Sequence, residues 1–483
     1  MNSFSGSGRG GLAPRRGRGY GGRVPFNKPR EQVKPDIKKN PLGSLLKTIL
    51  APDLVIDAKD AALTGEITDC QYVSSYNWLN DQTPTIVIPG KPPKWTPLGT
   101  PQRLKEDSGQ YFRDLNAAMY PSCPMAPVVR AVLEQEPEYP TLGIDLFACG
   151  STLGNLLRFA RDVDKAFRFN VEVIGNTVFF VRKENDPKEL IEGVRGFGHT
   201  FPEAYTTWGD FKDSVSHQRI VRYTFGGMQC LVRFESDGYI SDSLTGGNSS
   251  AEDASASRKH VKDDTDILSA LHSVSLTPSL GNPSNAATTG ATPLTIQKAG
   301  HPIPQASIFD LKTRSSRSRF PIDMNDIYPL LWLKQIPNFI LAYHNGAGLF
   351  NDISVKNVTK DVQSWVKENT EGVKRFAVLL SEICKVAREN EGKLMEVYCP
   401  GPGRVEIREQ FGVGVPTLPE DLSERWASGG QVAEVRRSDS LVDEGDWEVG
   451  NGGDGDVDDD SDAEPDYTAC SAEGCGYCGK CSY

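Results

Sequence analysis

Glu235-Ser236-Asp237 and Asp310-Leu311-Lys312 each close a strand-like run, Met228-Gln-Cys-Leu-Val-Arg-Phe before the first and Pro304-Gln-Ala-Ser-Ile-Phe before the second. In an extended strand, residues i and i+2 point to the same face. Glu235 and Asp237 therefore share a face, and so do Asp310 and Lys312. If these strands pair, three carboxylates and one ammonium meet at one place. That set suits a hard divalent cation, Mg²⁺ or Mn²⁺, with a protein cation beside it to hold the attacking water or the phosphate charge. Taken alone, either triplet is an exposed acidic turn.

The elements that must position these residues are legible from residue 41 onward. Apolar periodicity predicts helices over 42–51, 127–134, 153–162, 326–334 and 358–388, the last as two pieces. Strand-like runs cover 85–88, 167–173, 177–182, 339–343 and 393–399. Residues 241–300 are rich in Ser, Thr, Gly, Asn and Ala and read as a disordered insertion between two strands of one sheet. The expected fold is α/β (α+β): a mixed central sheet flanked by helices over 41–425, with strands 178–182, 231–237 and 307–313 in one layer.

The order of these pieces carries a resemblance. Thr177-Val-Phe-Phe-Val-Arg182 ends in Arg, and Gly198-His-Thr-Phe-Pro-Glu203 follows it. Glu235-Ser-Asp237, Asp310-Leu-Lys-Thr-Arg-Ser315 and Leu330-Leu-Trp-Leu-Lys-Gln-Ile-Pro-Asn-Phe-Ile come next. Over residues 80–400 this resembles, distantly, the decapping exoribonuclease (DXO/Rai-type) branch of the PD-(D/E)xK nuclease fold, as a fungal-type member. The resemblance implies Glu203, Glu235, Asp237 and Asp310 as ligands of Mg²⁺ or Mn²⁺, with the Leu311 carbonyl completing the shell. It further implies Lys312 orienting the nucleophilic water, Arg182 binding phosphate, and Gln335 contacting the product phosphate or the water. Three departures stand out: Pro202 inserts before Glu203, Asp310 is one methylene shorter than the family's Glu, and the insertion between the metal strands is long.

Other polar residues have plainer readings. His217-Gln-Arg219, just before the Glu-x-Asp strand, reads as a turn or as part of a substrate mouth, His199 as structural before a general base, and Arg113 and Asp114 as fold-stabilising at a helix start. Trp208, Trp332 and Trp365 read as core.

Composition divides the chain. Of the net charge of −11, residues 1–40 contribute ten Lys/Arg against two acids, and residues 427–469 fourteen acids against two Arg. The Arg/Gly-rich arm, with Tyr20, is a disordered RNA-binding segment or a solubilising or targeting tail. Any polyanion site in the acidic middle must be a local groove. Ten cysteines, no secretory signal and no apolar run of roughly 18 residues predict a reducing nuclear or cytoplasmic setting without a membrane span.

At the end of the chain, Cys470, Cys475, Cys478 and Cys481 (470–483) suit a small Zn²⁺ site, another metal or cluster, or a free thiol tail. Asp458-Asp-Asp-Ser-Asp462 matches the text of polyprenyl (geranylgeranyl) diphosphate synthase motifs. It stands once, in a Gly-rich acidic tail, which makes that function a remote alternative and a solvated tail or protein-binding segment the plain reading. The leading expectation is a metal-dependent RNA phosphodiesterase or decapping-type hydrolase acting on RNA 5′ ends. A non-catalytic RNA- or partner-binding protein on the same fold is the alternative, and DNA cleavage stays open.

Overall fold

Two adjacent glycines set the register at the centre of the fold. Gly226 (φ 56°) and Gly227 (φ 76°) join strands β9 (Ser214–Phe225) and β10 (Met228–Glu235). Positive φ at both central residues is the requirement of a type I′ hairpin, whose twist matches that of the strands it connects. The pairing it starts, Phe225 with Met228, runs without a slip to Gln218 opposite Glu235. A one-residue slip would have turned every side chain of β10 to the wrong face.

The computed structural model describes residues 34–56, 65–163, 165–241, 293–318 and 322–429. Around the hairpin stands an eleven-stranded mixed sheet. Its other members are β1 (Leu45–Leu50), β2 (Thr68–Leu79), β3 (Thr85–Gly90), β5 (Leu146–Cys149), β6 (Phe167–Ile174), β7 (Thr177–Arg182), β12 (Thr295–Gly300), β16 (Met395–Gly401) and β17 (Arg404–Glu409). The spatial order is β1-β17-β16-β6-β7-β5-β10-β9-β2-β3-β12, parallel where β5 meets β7 and β10 and where β12 meets β3. The central strands alternate buried residues between two apolar layers. Ala148, Phe180 and Val232 face α3 (Gly150–Ala160), α5 (Met324–Lys334), α6 (Thr359–Glu368) and α7 (Thr370–Glu389). Phe147, Phe179 and Leu231 face α2 (Ala126–Gln135) and α8 (Glu420–Ala427). Burial on both faces explains why these strands read as continuous apolar runs.

A second, six-stranded sheet holds β4 (Lys94–Trp95), β8 (Thr206–Thr207), β11 (Gly238–Tyr239), β13 (Ile308–Ser315), β14 (Asn338–His344) and β15 (Phe350–Asn357). The chain changes sheets at Gly238, where a Cβ would lie 2.5 Å from the Pro93 carbonyl oxygen and 2.6 Å from the Phe309 ring. Only glycine fits that approach.

Mixed sheets flanked by helices are therefore the architecture, with three corrections to the expected elements. Strands β7 and β10 lie in the large sheet while β13 lies in the small one, so the three strands do not share a layer. Residues 42–51 form no helix: β1 adds to β17 as an edge strand, tertiary pairing overriding a helical pattern. Within the segment read as an insertion, β12 pairs in parallel with β3 along its whole length. The helices near 127–134, 153–162 and 326–334 are present, and 358–388 divides into α6 and α7 at Asn369. No helix among the described residues is long and apolar enough to cross a membrane.

Candidate functional site

Glu235 ends β10 and lies between two openings of unlike charge. On one side is a cleft lined by Glu203, Glu235, Ser236, Asp237, His217 and Trp208 among others. On the other is a smaller pocket with Arg113, Arg182, Arg233 and Lys334, closed by the start of α3 at Cys149-Gly150-Ser151. The acidic cleft has a volume of ≈ 130 Å³ against ≈ 40 Å³ for the basic pocket. Burial first, then the neighbouring Asp237 charge, push the Glu235 carboxyl up to about 8, against the opposing pull of Arg233 and Lys334.

Asp237 follows two residues later, and its Oδ2 accepts the Leu311 backbone N–H at 2.6 Å. That bond ties the end of β10 to β13, beside the pairing of Gly238 with Phe309. The two triplets therefore meet through the short strand β11 and not by direct pairing. Leu311 contributes its N–H here. Asp310 is 5 % exposed, and its Oδ2 lies 2.6 Å from Lys334 Nζ in a buried ion pair. Its Oδ1 is enclosed without a hydrogen-bond partner. Lys312 is buried on β13, sharing the i, i+2 face of Asp310, but the ammonium seen to pair with Asp310 is that of Lys334.

Glu203 reaches the cleft from α4 (Thr200–Tyr205). Asp107 caps that helix, accepting from His199 N–H at 3.0 Å and Thr200 N–H at 2.9 Å, a favourable charge at a helix start. Phe201 and Tyr205, four residues apart and stacked at 4.3 Å, anchor the same helix in the core of the small sheet. Glu203, on the opposite face, is exposed to the cleft, so Pro202 does not turn it away.

Arg182 ends β7 in the basic pocket, donating through Nε to Glu184 and lying 3.9 Å from Asp114. Gln335 takes a left-handed conformation at the end of α5, and its side chain donates to the Trp332 carbonyl of that helix. The amide satisfies a helix end there and not the cleft.

The remaining residues divide the same way. His199 is buried against Tyr111 with ring centroids 3.4 Å apart, a packing role. Arg113 pairs with Glu189 at 3.0 Å and Asp114 caps α1 (Leu115–Met119), both supporting the fold. Trp332 and Trp365 are core, whereas Trp208 is half-buried on the wall of the cleft. His217 lies in mid-strand on β9 and is 1 % exposed, correcting the expected turn. Sequence reasoning passed over Lys334 and Arg233. Arg233 was within reach, because the i, i+2 rule that joined Glu235 to Asp237 also joins Arg233 to Glu235. Cys470, Cys475, Cys478, Cys481, the acidic motif 458–462 and the Arg/Gly arm lie outside the described residues.

Among the described residues no three His, Cys, Asp or Glu side chains gather closely enough to hold a metal ion by themselves. The expected cage of four carboxylates is thus not assembled, and Asp310 is paired with Lys334. What the cleft offers is Glu235 and Asp237, with Glu203 across from them. Mg²⁺ typically binds through one or two carboxylates, several waters and substrate phosphate, without a protein cage. The donor set fits a cation that arrives with substrate, and Glu235, raised by burial and then by its neighbour's charge, is the group such a cation would relieve.

Solved structures that resemble the fold include three of Rai1 proteins. S. pombe Rai1 in complex with 3′-FADP shares 10 % identity over 76 % of this chain and 99 % of that chain, with a TM-score of 0.47. Scheffersomyces stipitis Rai1, with (3′-NADP)⁺ and calcium ion, shares 11 % over 80 % and 99 %, at 0.46. Candida albicans Rai1, in complex with pU5-Mn²⁺, shares 10 % over 83 % and 99 %, at 0.42. No curated protein matches the chain. The sheets and cleft described above fall almost wholly within residues 50–399, the span matched by the family model described as Domain of unknown function (DUF8563), and the chain belongs to that family.

Proposed function

We propose that the protein is a divalent-cation-dependent hydrolase of RNA phosphate esters, acting at RNA 5′ ends on a phosphodiester or a cap pyrophosphate. The observation that carries this reading is the shared position of Glu235, which borders the acidic cleft and the basic pocket at once. A phosphate drawn to Arg182 and Arg233 then lies beside the carboxylates that attract a cation. Helix α3 aims its N-terminus at the same pocket, adding positive potential where phosphate charge develops.

Glu235 and Asp237 would hold Mg²⁺ or Mn²⁺, which would supply positive charge at the scissile phosphate and lower the pKa of the attacking water. Asp237 is oriented by the Leu311 N–H, Arg233 is braced by Gln218 at 2.9 Å, and Lys334 is held by Asp310. The Arg/Gly arm supplies additional phosphate contacts, and the compartment is nuclear or cytoplasmic. The Asp310–Lys334 pair favours a second reading, an RNA-binding protein without turnover, since a carboxylate neutralised by lysine does not also hold a cation.

One assay separates the two. Purified protein is incubated with capped and with 5′-phosphorylated RNA and Mn²⁺, beside Asp237→Ala. Metal-dependent release of product, reduced at least about a hundredfold in the variant, is the expected result. Equal activity in both proteins, or none in either across several cap structures, leaves the binding reading.

A further inference from the structure

Asn77, His217 and Ser236 form a row across three neighbouring strands. Asn77 on β2 stands opposite His217 on β9. The position following the Glu235–Gln218 pair sets Ser236 opposite His217, where the Ser236 N–H donates to the His217 carbonyl at 3.1 Å. Directly opposed residues of an antiparallel pair share a face.

The Asn77 amide has only one consistent orientation. Its Nδ2 donates to the Lys91 carbonyl at 2.9 Å and to Ser214 Oγ at 2.8 Å, and its Oδ1 accepts the Lys91 N–H at 3.1 Å. His217 Nδ1, 2.7 Å from that Oδ1, must therefore be the protonated nitrogen. Burial, with Arg219 nearby, keeps the ring neutral. Nε2 is left as a bare acceptor, enclosed and without a partner, and Ser236 Oγ is likewise without one. Buried polar atoms are rarely left unmatched, and both of these residues line the acidic cleft.

A group that satisfies both atoms must donate to Nε2 and exchange a hydrogen bond with Oγ, as a hydroxyl does. Glu203, Glu235 and Asp237 make the cleft unfavourable to an anion, while Trp208 and Pro202 give it an aromatic and apolar wall. An uncharged sugar suits that cleft, and its phosphate suits the basic pocket across Glu235. Resting on the RNA reading above, we infer that His217 and Ser236 receive a ribose hydroxyl and are the residues by which the site prefers RNA to DNA.

Binding in EDTA tests this without turnover. Full-length protein is titrated, at fixed salt, into labelled 5′-phosphorylated oligouridylate and into its oligodeoxyuridylate counterpart. The wild type is expected to bind the ribo-oligomer about fivefold to tenfold more tightly. Ser236→Ala removes only an oxygen that bonds nothing in the fold, and His217→Phe removes the acceptor. Each should bring the ratio towards one by weakening RNA binding and leaving DNA binding unchanged. Equal wild-type affinity for both oligomers overturns the inference alone, as does a preference that both variants keep. Binding of neither oligomer removes the RNA reading and this inference with it.

Discussion

Glu396 and Glu235 are acidic side chains on strands of the same large sheet, and their neighbours differ throughout. Glu396, on β16, is fully buried, and its Oε2 accepts from Arg168 Nε at 2.8 Å, from Arg168 Nη2, and from Lys183 Nζ at 3.2 Å. The same guanidinium donates to the Asn40 and Pro41 carbonyls, clamping the start of the described chain to the sheet. Glu235 makes no ion pair among the described residues, lies beside another carboxylate and borders two openings. Arg233, one of its counter-charges, has an enclosed Nε without a partner. Charge that is matched inside the fold contributes to holding it together. Charge left unmatched beside an opening costs stability and is available to a ligand.

The sharpest way to break this contrast is Arg168→Met, which strands Glu396 in the interior. Chemical denaturation should show a loss of about 3–5 kcal/mol, the scale for removing one partner of a buried ion pair. A loss no larger than that of an equivalent change at Arg233 would mean that the two regions are not built differently.

A smaller effect is expected at Glu235 itself, and it depends on pH. In the unfolded chain this carboxyl titrates near 4.5, and in the folded protein near 8. Below 4.5 it is protonated in both states and costs nothing. As pH rises from 4.5 towards 8 the unfolded chain ionises first, so stability falls, and above 8 the whole cost is present. Glu235→Gln escapes that cost. The variant should match the wild type below pH 4.5 and exceed it by a margin that grows from pH 4.5 to 8 and then levels off, in metal-free buffer. Millimolar Mn²⁺ should narrow the gap by stabilising only the wild type. A difference independent of pH would remove electrostatic strain as the explanation.

The smallest effect is expected from Arg233→Met. Among the described residues it has one hydrogen bond to a side chain, to Gln218, which limits the stability loss to about 1 kcal/mol or less. Inorganic phosphate should nevertheless raise the melting temperature of the wild type and not of this variant. The same phosphate response in both proteins would place the anion elsewhere.

The i, i+2 rule read directly from Glu235-Ser-Asp237 placed both carboxylates in one cleft, because strand alternation is a local property of the backbone. Arg182 ends its strand as the apolar run indicated, in the basic pocket, while Glu203 lines the acidic cleft. The partner of Asp310 was not, because Lys334 lies 24 residues away on α5 and only packing brings it to β13. The turn assigned to His217 failed for a related reason. Ser, His, Gln and Arg are polar, but each is buried on β9 through cross-strand partners that local composition does not show.

Sequence alone indicated the core strands at 85–88, 167–173, 177–182 and 339–343 and the helices at 127–134, 153–162, 326–334 and 358–388, but not β2, β5 or β9, since apolar spacing reveals an element only where its buried residues are themselves apolar and its run is long enough to show a period. It also determined that carboxylates of one triplet share a face. Only the tertiary structure decided that β1 is an edge strand, that β13 belongs to a second sheet, and that lysine meets Asp310. Each of those outcomes depends on contacts between residues far apart in the chain: the closed approach at Gly238, the β1–β17 pairing and the seating of α5 on the sheet. Their free energies come from burial and long-range hydrogen bonding, which no local window of residues contains.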